Sequence, residues 1–201
     1  MSPTSCQTAP PRVEDWRVYM NFCSGCGHAV RREVPADDNR LRAVCSHCKT
    51  VHYENPKMVL GTIPTHEGQV LLCRRAIEPR HGFWTLPAGF MELGESTADG
   101  AIRETIEEAG ADIELGRLFA VFDIPHVDQV HLFYLAAMRS TKLDPGPETL
   151  EAALFDESDI PWNDLAFRSV RMALEHFFED RRLGLERVHS GSITRPPTPY
   201  A

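Results

Sequence analysis

The chain has 201 residues, of which 42% are hydrophobic and 25% charged, and its formal net charge is −8. These values are typical of a globular protein with one domain of ordinary size and a small appendage, and the acidic balance argues against nucleic-acid binding as the main function. No stretch reaches the roughly 20 apolar residues that span a bilayer, and no secretory signal is visible at the N-terminus. We therefore expect a cytoplasmic protein with neither a nucleic-acid nor a membrane partner.

Four of the six cysteines form two C-x2-C pairs separated by eighteen residues: Cys23, Cys26, Cys45 and Cys48. This spacing predicts a structural zinc site, in which four thiolates close a tetrahedron around Zn²⁺. The alternative is a pair of disulfides, which a reducing compartment disfavours. We expect an N-terminal tail over residues 1–20 and a zinc ribbon over residues 21–54, with a strand at residues 41–44.

After the ribbon the chain shows strand and helix patterns in mixed order. Apolar runs predict strands over residues 58–63, 69–74, 83–86, 118–124, 129–138 and 152–155. A helix is predicted from Ser96 or Thr97 to Ala109, because Ser and Thr are good N-caps and Gly110 suits the stop. A last helix is predicted over residues 167–182, followed by a disordered tail over residues 184–201.

Three carboxylates crowd one face of the first predicted helix. Glu104, Glu107 and Glu108 recur at i, i+3 and i+4, where like charges repel each other. A divalent cation such as Mg²⁺ would offset this repulsion, because it binds carboxylates together with substrate phosphates. The alternative is a solvated acidic helix face.

The helix lies within a longer fixed pattern, G-x5-E-x7-R-E-U-x-E-E-x-G-U, over residues 89–111. All seven fixed letters are present, although Thr105 and Ala111 are smaller than the usual aliphatic U residues. The stretch resembles the Nudix box. The resemblance implies an α/β fold, a Nudix-type α/β/α sandwich with a mixed sheet over residues 55–183, preceded by the small four-cysteine zinc ribbon. It also implies hydrolysis of the diphosphate bond in a nucleoside diphosphate linked to a second group.

The resemblance assigns roles to the residues of the box. Glu104 and Glu108 match the principal ligands of Mg²⁺ or Mn²⁺, and Glu107 matches a residue that shares ligation or acts as base. The residue before the box, Ala88, matches one that offers its backbone carbonyl. Arg103 stands four residues before Glu107 and is placed to orient it through an ion pair; a surface salt bridge of little value is the alternative.

A further acid is expected outside the box. The segment from Glu148 to Phe155 looks like the E-x-x-E-x-x-x-F segment of zinc-ribbon Nudix pyrophosphatases, and in that register Glu148 is a metal ligand. Glu151 is the competing candidate, and the alternative is that both glutamates only solvate a loop.

Five residues are candidates for substrate binding. Phe83, Trp84 and Phe90 are suited to stack on an adenine or flavin ring, although we expect one of Phe83 and Trp84 to belong to the core. His126 and Gln129 are placed to contact ribose or phosphate, with an ordinary polar loop as the alternative.

The motif S-Q-P-W-P-F-P of NADH pyrophosphatases is missing after the box, and the chain looks more like the ADP-ribose/FAD pyrophosphatase branch of the family. The resemblance thus implies an enzyme that releases AMP from FAD or ADP-ribose and that pairs as a homodimer. The alternatives are another dinucleotide such as NADH, a nucleoside triphosphate, or a regulator that senses nucleotides without cleaving them.

Overall fold

The computed structural model describes residues 20–194, and the chain divides into two compact units at the boundary between Asn55 and Pro56. The predicted N-terminal tail lies outside the described residues, apart from Met20. Within residues 20–194, no helix is both long enough and apolar enough to cross a membrane.

The first unit is a small antiparallel sheet of three strands, β1 (Val30–Glu33), β2 (Arg42–Cys45) and β3 (Val51–His52). One C-x2-C pair precedes β1 and the other begins at the end of β2. Because Val30 pairs with Cys45 in the β1–β2 ladder, the two cysteine pairs meet at the same end of the sheet.

The four cysteine sulfur atoms of this unit lie within 4.8 Å of one another. The Sγ atom of Cys26 is 3.4 Å from those of Cys45 and Cys48, and the Sγ atoms of Cys23 and Cys48 are 3.7 Å apart. Tetrahedral zinc with Zn–S bonds of about 2.3 Å would hold its sulfurs about 3.8 Å apart. All five cysteines within residues 20–194 are unbridged. The cluster therefore fits a structural zinc ion, as predicted from the spacing.

The second unit is built on one mixed eight-stranded sheet. Its strands are β4 (Lys57–His66), β5 (Gln69–Arg75), β6 (Trp84–Thr85), β7 (Ala88–Phe90), β8 (Ile113–Ile124), β9 (Gln129–Met138), β10 (Thr149–Phe155) and β11 (His189–Ser192). The order is β10-β5-β4-β9-β8-β11, with β6 paired to β5 and β7 to β4. The pairs β4–β9 and β8–β11 are parallel, and the other pairs are antiparallel.

Two helices, α1 (Thr97–Ala109) and α2 (Arg168–Leu183), cover opposite faces of this sheet. Successive residues of β5 show the two faces, because side chains alternate along a strand. Leu72 belongs to the core that contains Leu174 of α2, whereas Cys73 belongs to the core that contains Ala109 of α1. The predicted α/β/α sandwich with a mixed sheet is confirmed.

The predicted disorder after residue 184 is wrong for the described part of that segment. Residues 189–192 form β11, which pairs with β8, and Ile193 is buried. The side chain of Asp180 on α2 bonds both Arg187 and His189 and so ties this strand to the helix. The strand has no apolar alternation, so its position depends on the sheet edge and not on its own composition. Residues 195–201 lie outside the described residues.

The first prediction concerns the zinc ribbon. Replacing Cys26 with Ser should abolish stoichiometric zinc binding and make residues 20–55 sensitive to protease, because so short a unit cannot bury enough core without its metal. Metal analysis and limited proteolysis measure both effects. Cys73→Ser, on β5 of the other unit, is the control and should retain zinc. Full zinc content in Cys26→Ser would contradict the four-cysteine site.

Candidate active site

A cavity of about 940 Å³ opens in the second unit beside α1. Strands β4, β7 and β9, the 3-10 turn Pro125–Val127 and the beginning of α2 contribute to its walls. The cavity brings together nine of the residues that the sequence singled out: Ala88, Phe90, Arg103, Glu104, Glu107, Glu108, His126, Gln129 and Glu148.

Helix α1, which carries the three glutamates, is capped at both ends. The Ser96 hydroxyl accepts a hydrogen bond from the Asp99 N–H at 3.1 Å, and the Asp99 carboxylate accepts from Ser96 in return. This reciprocal capping satisfies N–H groups that the first turn leaves free. Gly110 ends the helix in the left-handed conformation, with φ of 61°, which glycine adopts without strain. The helix has the bounds predicted from the sequence.

Gly89, the first residue of the box, allows strand β7 to lie directly against the helix. A Cβ atom at Gly89 would overlap the Glu104 carboxylate. This close approach also lets the N–H of Ala88 donate to Oε2 of Glu108 at 3.0 Å.

Arg103 of α1 forms ion pairs with three glutamates. Its guanidinium donates to Glu95 at 2.8 and 3.0 Å, to Glu104 at 2.7 Å, to Glu107 at 3.1 Å and to the carbonyl of Phe90 at 3.1 Å. The hydrogen bonds from Arg103 lower the pKa of Glu95 to about 2. A group that fixes three carboxylates and a carbonyl of β7 is more than an isolated surface salt bridge.

Glu104 and Glu108 are held out of water, with side chains buried in the wall of the cavity. Burial is the main cause that raises the pKa of Glu108 to about 8, and the charges of Glu104 and Glu148 also raise it. The hydrogen bond from Ala88 and the positive charge of Arg75 lower it, but by less. Burial also raises the pKa of Glu104. The protein therefore holds these two carboxyl groups where ionisation is unfavourable, Glu104 despite its ion pair with Arg103.

The structure separates the two candidates for the acid outside the box. Glu148 lines the cavity, and its charge raises the pKa of both Glu104 and Glu108. Glu151 does not line the cavity, and its exposed carboxylate lies 3.9 Å from Arg74 on the neighbouring strand.

The carboxylates fit a hard divalent cation bound in an open manner. Within the described part of the chain, only the ribbon cysteines bring three or more ligand atoms within 4.8 Å of one another. The glutamates thus form no closed cage. Mg²⁺ usually keeps several waters and is bound through one or two carboxylates and the phosphates of a substrate, so an open acidic wall suits it.

Two of the predicted substrate-binding residues lie elsewhere. Trp84 packs edge-on against Phe155 of the core, with ring centroids 4.9 Å apart, and Phe83 lies under the guanidinium of Arg80. Neither residue lines the cavity. The short strand β6 pairs with β5 and holds Trp84 against the core. This placement does not support stacking of Phe83 or Trp84 on a ligand in the cavity, and Trp84 packs against the core, as expected for one of the two. Phe90 is the aromatic residue of the three that lines the cavity.

Several polar residues of the cavity were missed by the sequence analysis: Arg75, Arg80, His131, Arg168 and Ser169. The run RRAIEPR, which directly follows the apolar part of β5, carries a signal for two of them, because cationic residues at a strand end are suited to bind an anion. His131 sits in an alternating apolar run, where a histidine has no distinguishing pattern.

A family model described as Nudix N-terminal matches residues 21–54, and one described as NUDIX domain matches residues 57–174. An NAD-capped RNA hydrolase of Photobacterium profundum is 31% identical over 67% of this chain and 49% of its own length. A putative ADP-ribose pyrophosphatase of Bacillus subtilis is 35% identical over 54% of each. The chain thus spans about half the length of these curated relatives.

Among solved structures, a NUDIX hydrolase from Nitrosomonas europaea is 46% identical and superposes with a TM-score of 0.85, covering 88% of this chain and 100% of that one. An ADP-ribose pyrophosphatase from Streptococcus suis, 24% identical, covers 68% of this chain and 100% of that one with a TM-score of 0.56. The second similarity shows the fold alone.

The second prediction concerns Glu108 and pH. The folded-state pKa of Glu108, about 8, lies above its ordinary value of 4.5. Its contribution to the free energy of unfolding is therefore complete below about pH 4.5 and is lost as the pH rises towards 8. Without added Mg²⁺ or Mn²⁺, the melting temperature of the zinc-loaded protein should fall between pH 6 and 8.5 more steeply than that of Glu108→Gln, whose side chain stays neutral.

The matched control is Glu107→Gln, because the Glu107 side chain is 58% exposed. Its melting temperature should follow the wild-type pH profile. Parallel profiles for wild type and Glu108→Gln would show that Glu108 ionises freely in the folded protein.

Proposed function

The chain belongs to the Nudix family, and from that premise we propose that it is a Mg²⁺- or Mn²⁺-dependent pyrophosphohydrolase. Its substrate is a nucleoside diphosphate linked to a second group, either FAD or ADP-ribose. Water adds to one phosphorus of the diphosphate and the bridging oxygen leaves with the other. The products are AMP and either FMN or ribose 5-phosphate.

The observation that carries this proposal is the position of three acids in one cavity wall. Glu104 and Glu108 are buried, and Glu148 is close enough to raise the pKa of both. The ionised forms of these three carboxyl groups repel one another and are disfavoured by burial. Bound divalent cations would make the ionised forms favourable. Buried acids with raised pKa values that share one cavity favour a ligand-binding role.

The residues that would hold the ions are the carboxylates of the wall and one backbone carbonyl, namely Ala88, Glu104, Glu107, Glu108 and Glu148. When bound, the ions neutralise charge on the diphosphate and activate water.

The protein's own groups position the reaction. Arg103 fixes the orientation of Glu104 and Glu107 through its hydrogen bonds. Glu107 is more exposed than the other two glutamates of the helix and accepts one hydrogen bond from Arg103. It is therefore the group best placed to take a proton from the attacking water.

Three arginines explain how a chain of net charge −8 attracts an anionic substrate. Arg75, Arg80 and Arg168 line the cavity. Guanidinium groups bind phosphate oxygens with directed N–H donors. Because the lining also carries six glutamates, the arginines would act together with the cations that these carboxylates hold.

The second substrate class to be tested is related to NAD. Relatives named NAD-capped RNA hydrolases match at 31% identity, a similar level to the putative ADP-ribose pyrophosphatase at 35%. The missing S-Q-P-W-P-F-P motif favours FAD or ADP-ribose. A regulator that senses nucleotides without cleaving them is disfavoured by the complete acidic wall.

The remaining predictions belong to the same proposal: a structural Zn²⁺ in the ribbon, a cytoplasmic homodimer, and a catalytic domain over residues 55–183.

A hydrolysis panel tests the proposal directly. The zinc-loaded protein is incubated with Mg²⁺ or Mn²⁺ and FAD, ADP-ribose, NADH, NAD⁺, an NAD-capped RNA or a nucleoside triphosphate, and the products are separated by chromatography. AMP should appear first from FAD or ADP-ribose. Preference for NADH or capped RNA would move the protein to the second substrate class, and nucleotide binding without any cleavage would favour the sensor.

The third prediction removes one buried acid. Glu108→Gln should lower kcat by at least about 10³-fold, because it removes a charge that the reaction needs at its centre. Circular dichroism should show an unchanged fold, since glutamine has the same shape. Glu114→Gln, an exposed substitution on β8, is the control and should keep full activity. Retained activity in Glu108→Gln would refute the proposed metal ligands.

The fourth prediction compares two nearby glutamates. Glu148→Gln should lower kcat by about 10²-fold and raise the Mg²⁺ concentration needed for half-maximal rate, because Glu148 faces the buried acids. Glu151→Gln should leave both quantities unchanged, because Glu151 pairs with Arg74 away from the cavity. The reverse result would make Glu151 the ligand.

A further inference from the structure

Three neutral polar side chains form a hydrogen-bonded chain in the cavity wall, apart from the acidic residues. His131 on β9 lies at its centre. The Nε2 atom of His131 is 3.0 Å from Oε1 of Gln129, and Nδ1 is 3.1 Å from the hydroxyl of Ser169 at the start of α2. All three residues line the cavity. These three hydrogen-bonded residues have no role in the proposed binding of cations by the glutamates.

The direction of each hydrogen bond follows from the chemistry of the partners. The amide oxygen of Gln129 can only accept, so Nε2 of His131 carries the proton and donates it. Nδ1 is then an acceptor, and the Ser169 hydroxyl donates to it. Burial lowers the pKa of His131 to about 4, so the ring stays neutral near pH 7 and keeps one donor and one acceptor.

This arrangement leaves the amide N–H groups of Gln129 free. The Gln129 oxygen is taken by His131, and the amide nitrogen has no hydrogen-bond partner among the described residues. Gln129 is only half-buried and lies at the cavity surface. It therefore offers two donors to a ligand in the cavity, in an orientation that His131 fixes.

An exposed aromatic residue, Phe90, lies on the same part of the sheet. Val59 on β4 pairs with Phe90 of β7 on one side and with His131 of β9 on the other. Neighbouring strands lie about 4.8 Å apart, so the three residues form a row about 10 Å long in which Phe90 is exposed. The Lys57 ammonium lies 5.0 Å from the centroid of the Phe90 ring, and about half of the Phe90 surface stays exposed. An exposed aromatic ring near oriented N–H donors suits a planar heteroaromatic ring with acceptor atoms on its edge, which is the chemistry of a nucleobase.

We infer that His131 is a positioning residue that holds the Gln129 amide with its N–H groups towards the cavity, where they bind acceptor atoms of the substrate's nucleobase. This inference rests on the proposed function, because it assigns the base of that substrate to this wall. A glutamine without such a partner would be free to turn its amide by half a rotation and present its oxygen instead. A site that pairs polar groups in this way rejects ligands that leave them unpaired.

A double-mutant cycle tests the inference, using ADP-ribose and FAD as substrates. Gln129→Met removes the donors and His131→Leu removes the group that orients them. Each single variant should raise KM roughly tenfold, which is one neutral hydrogen bond, and leave kcat within about twofold. The double variant should be no worse than either single variant, because both remove the same interaction.

Three readouts separate positioning from a merely structural role. The melting temperature of each variant is measured, and His176→Leu, a histidine of α2 that does not line the cavity, should leave KM unchanged. Substrates in which one acceptor nitrogen of the base is replaced by C–H should lose affinity with wild type. They should lose none with Gln129→Met or His131→Leu. Additive effects in the double variant, or a fall in kcat at constant KM, would overturn the inference.

The design keeps the inference distinct from the proposed function. If wild type cleaves none of the panel, the proposed function fails, and the same four proteins are compared by calorimetric titration with AMP. A shared tenfold loss of AMP affinity would still support the positioning of Gln129 by His131. Equal AMP affinity in all four proteins would overturn it.

Discussion

The rest of the site depends on one constraint, the burial of two carboxylates that lie one helical turn apart. They belong to Glu104 and Glu108. Their burial raises the pKa of both groups, so nearby features must hold them against the tendency to turn towards solvent. Arg103 binds Glu104 from one side. The N–H of Ala88 binds Glu108 from the other, and it reaches that position only because Gly89 brings β7 against the helix. The fixed spacing of residues in the box therefore follows from these contacts, because each of them holds Glu104 or Glu108 in place.

The features that could be predicted from the sequence are those whose causes lie close together in the chain. Ser96 and Gly110 set the ends of α1 through capping groups within a few residues of each end. The glutamates share one side of that helix by helical periodicity alone. In the ribbon, two short cysteine pairs fix the ligand geometry locally, and one antiparallel ladder brings them together. Glu148 is an intermediate case, because its role came from a resemblance and its position beside Glu108 depends on tertiary structure.

The features that the sequence did not predict depend on partners distant in the chain. Residues 189–192 have a polar composition that suggests no strand, and they pair in parallel with a strand nearly seventy residues earlier. Trp84 has the side chain of a base-stacking residue, but the pairing of β6 with β5 directs it to Phe155. His131 is separated from Ser169 by 38 residues, so its hydrogen bonds are invisible in a local pattern. In each case tertiary contacts override or supply what composition leaves open.

The cavity combines a group of acidic side chains with the neutral hydrogen-bonded residues Gln129, His131 and Ser169. In the proposed function the two groups would bind different parts of one substrate. A diphosphate requires neutralisation of its negative charge. Cations held by the carboxylates would supply this, together with Arg75 and Arg168. A nucleobase is uncharged, and it is best distinguished by neutral donors of fixed direction. A charged side chain in place of His131 would attract or repel the phosphates and compete with the productive orientation. A buried histidine that stays neutral avoids this competition, so in the proposed function separate groups would orient the base and activate the diphosphate.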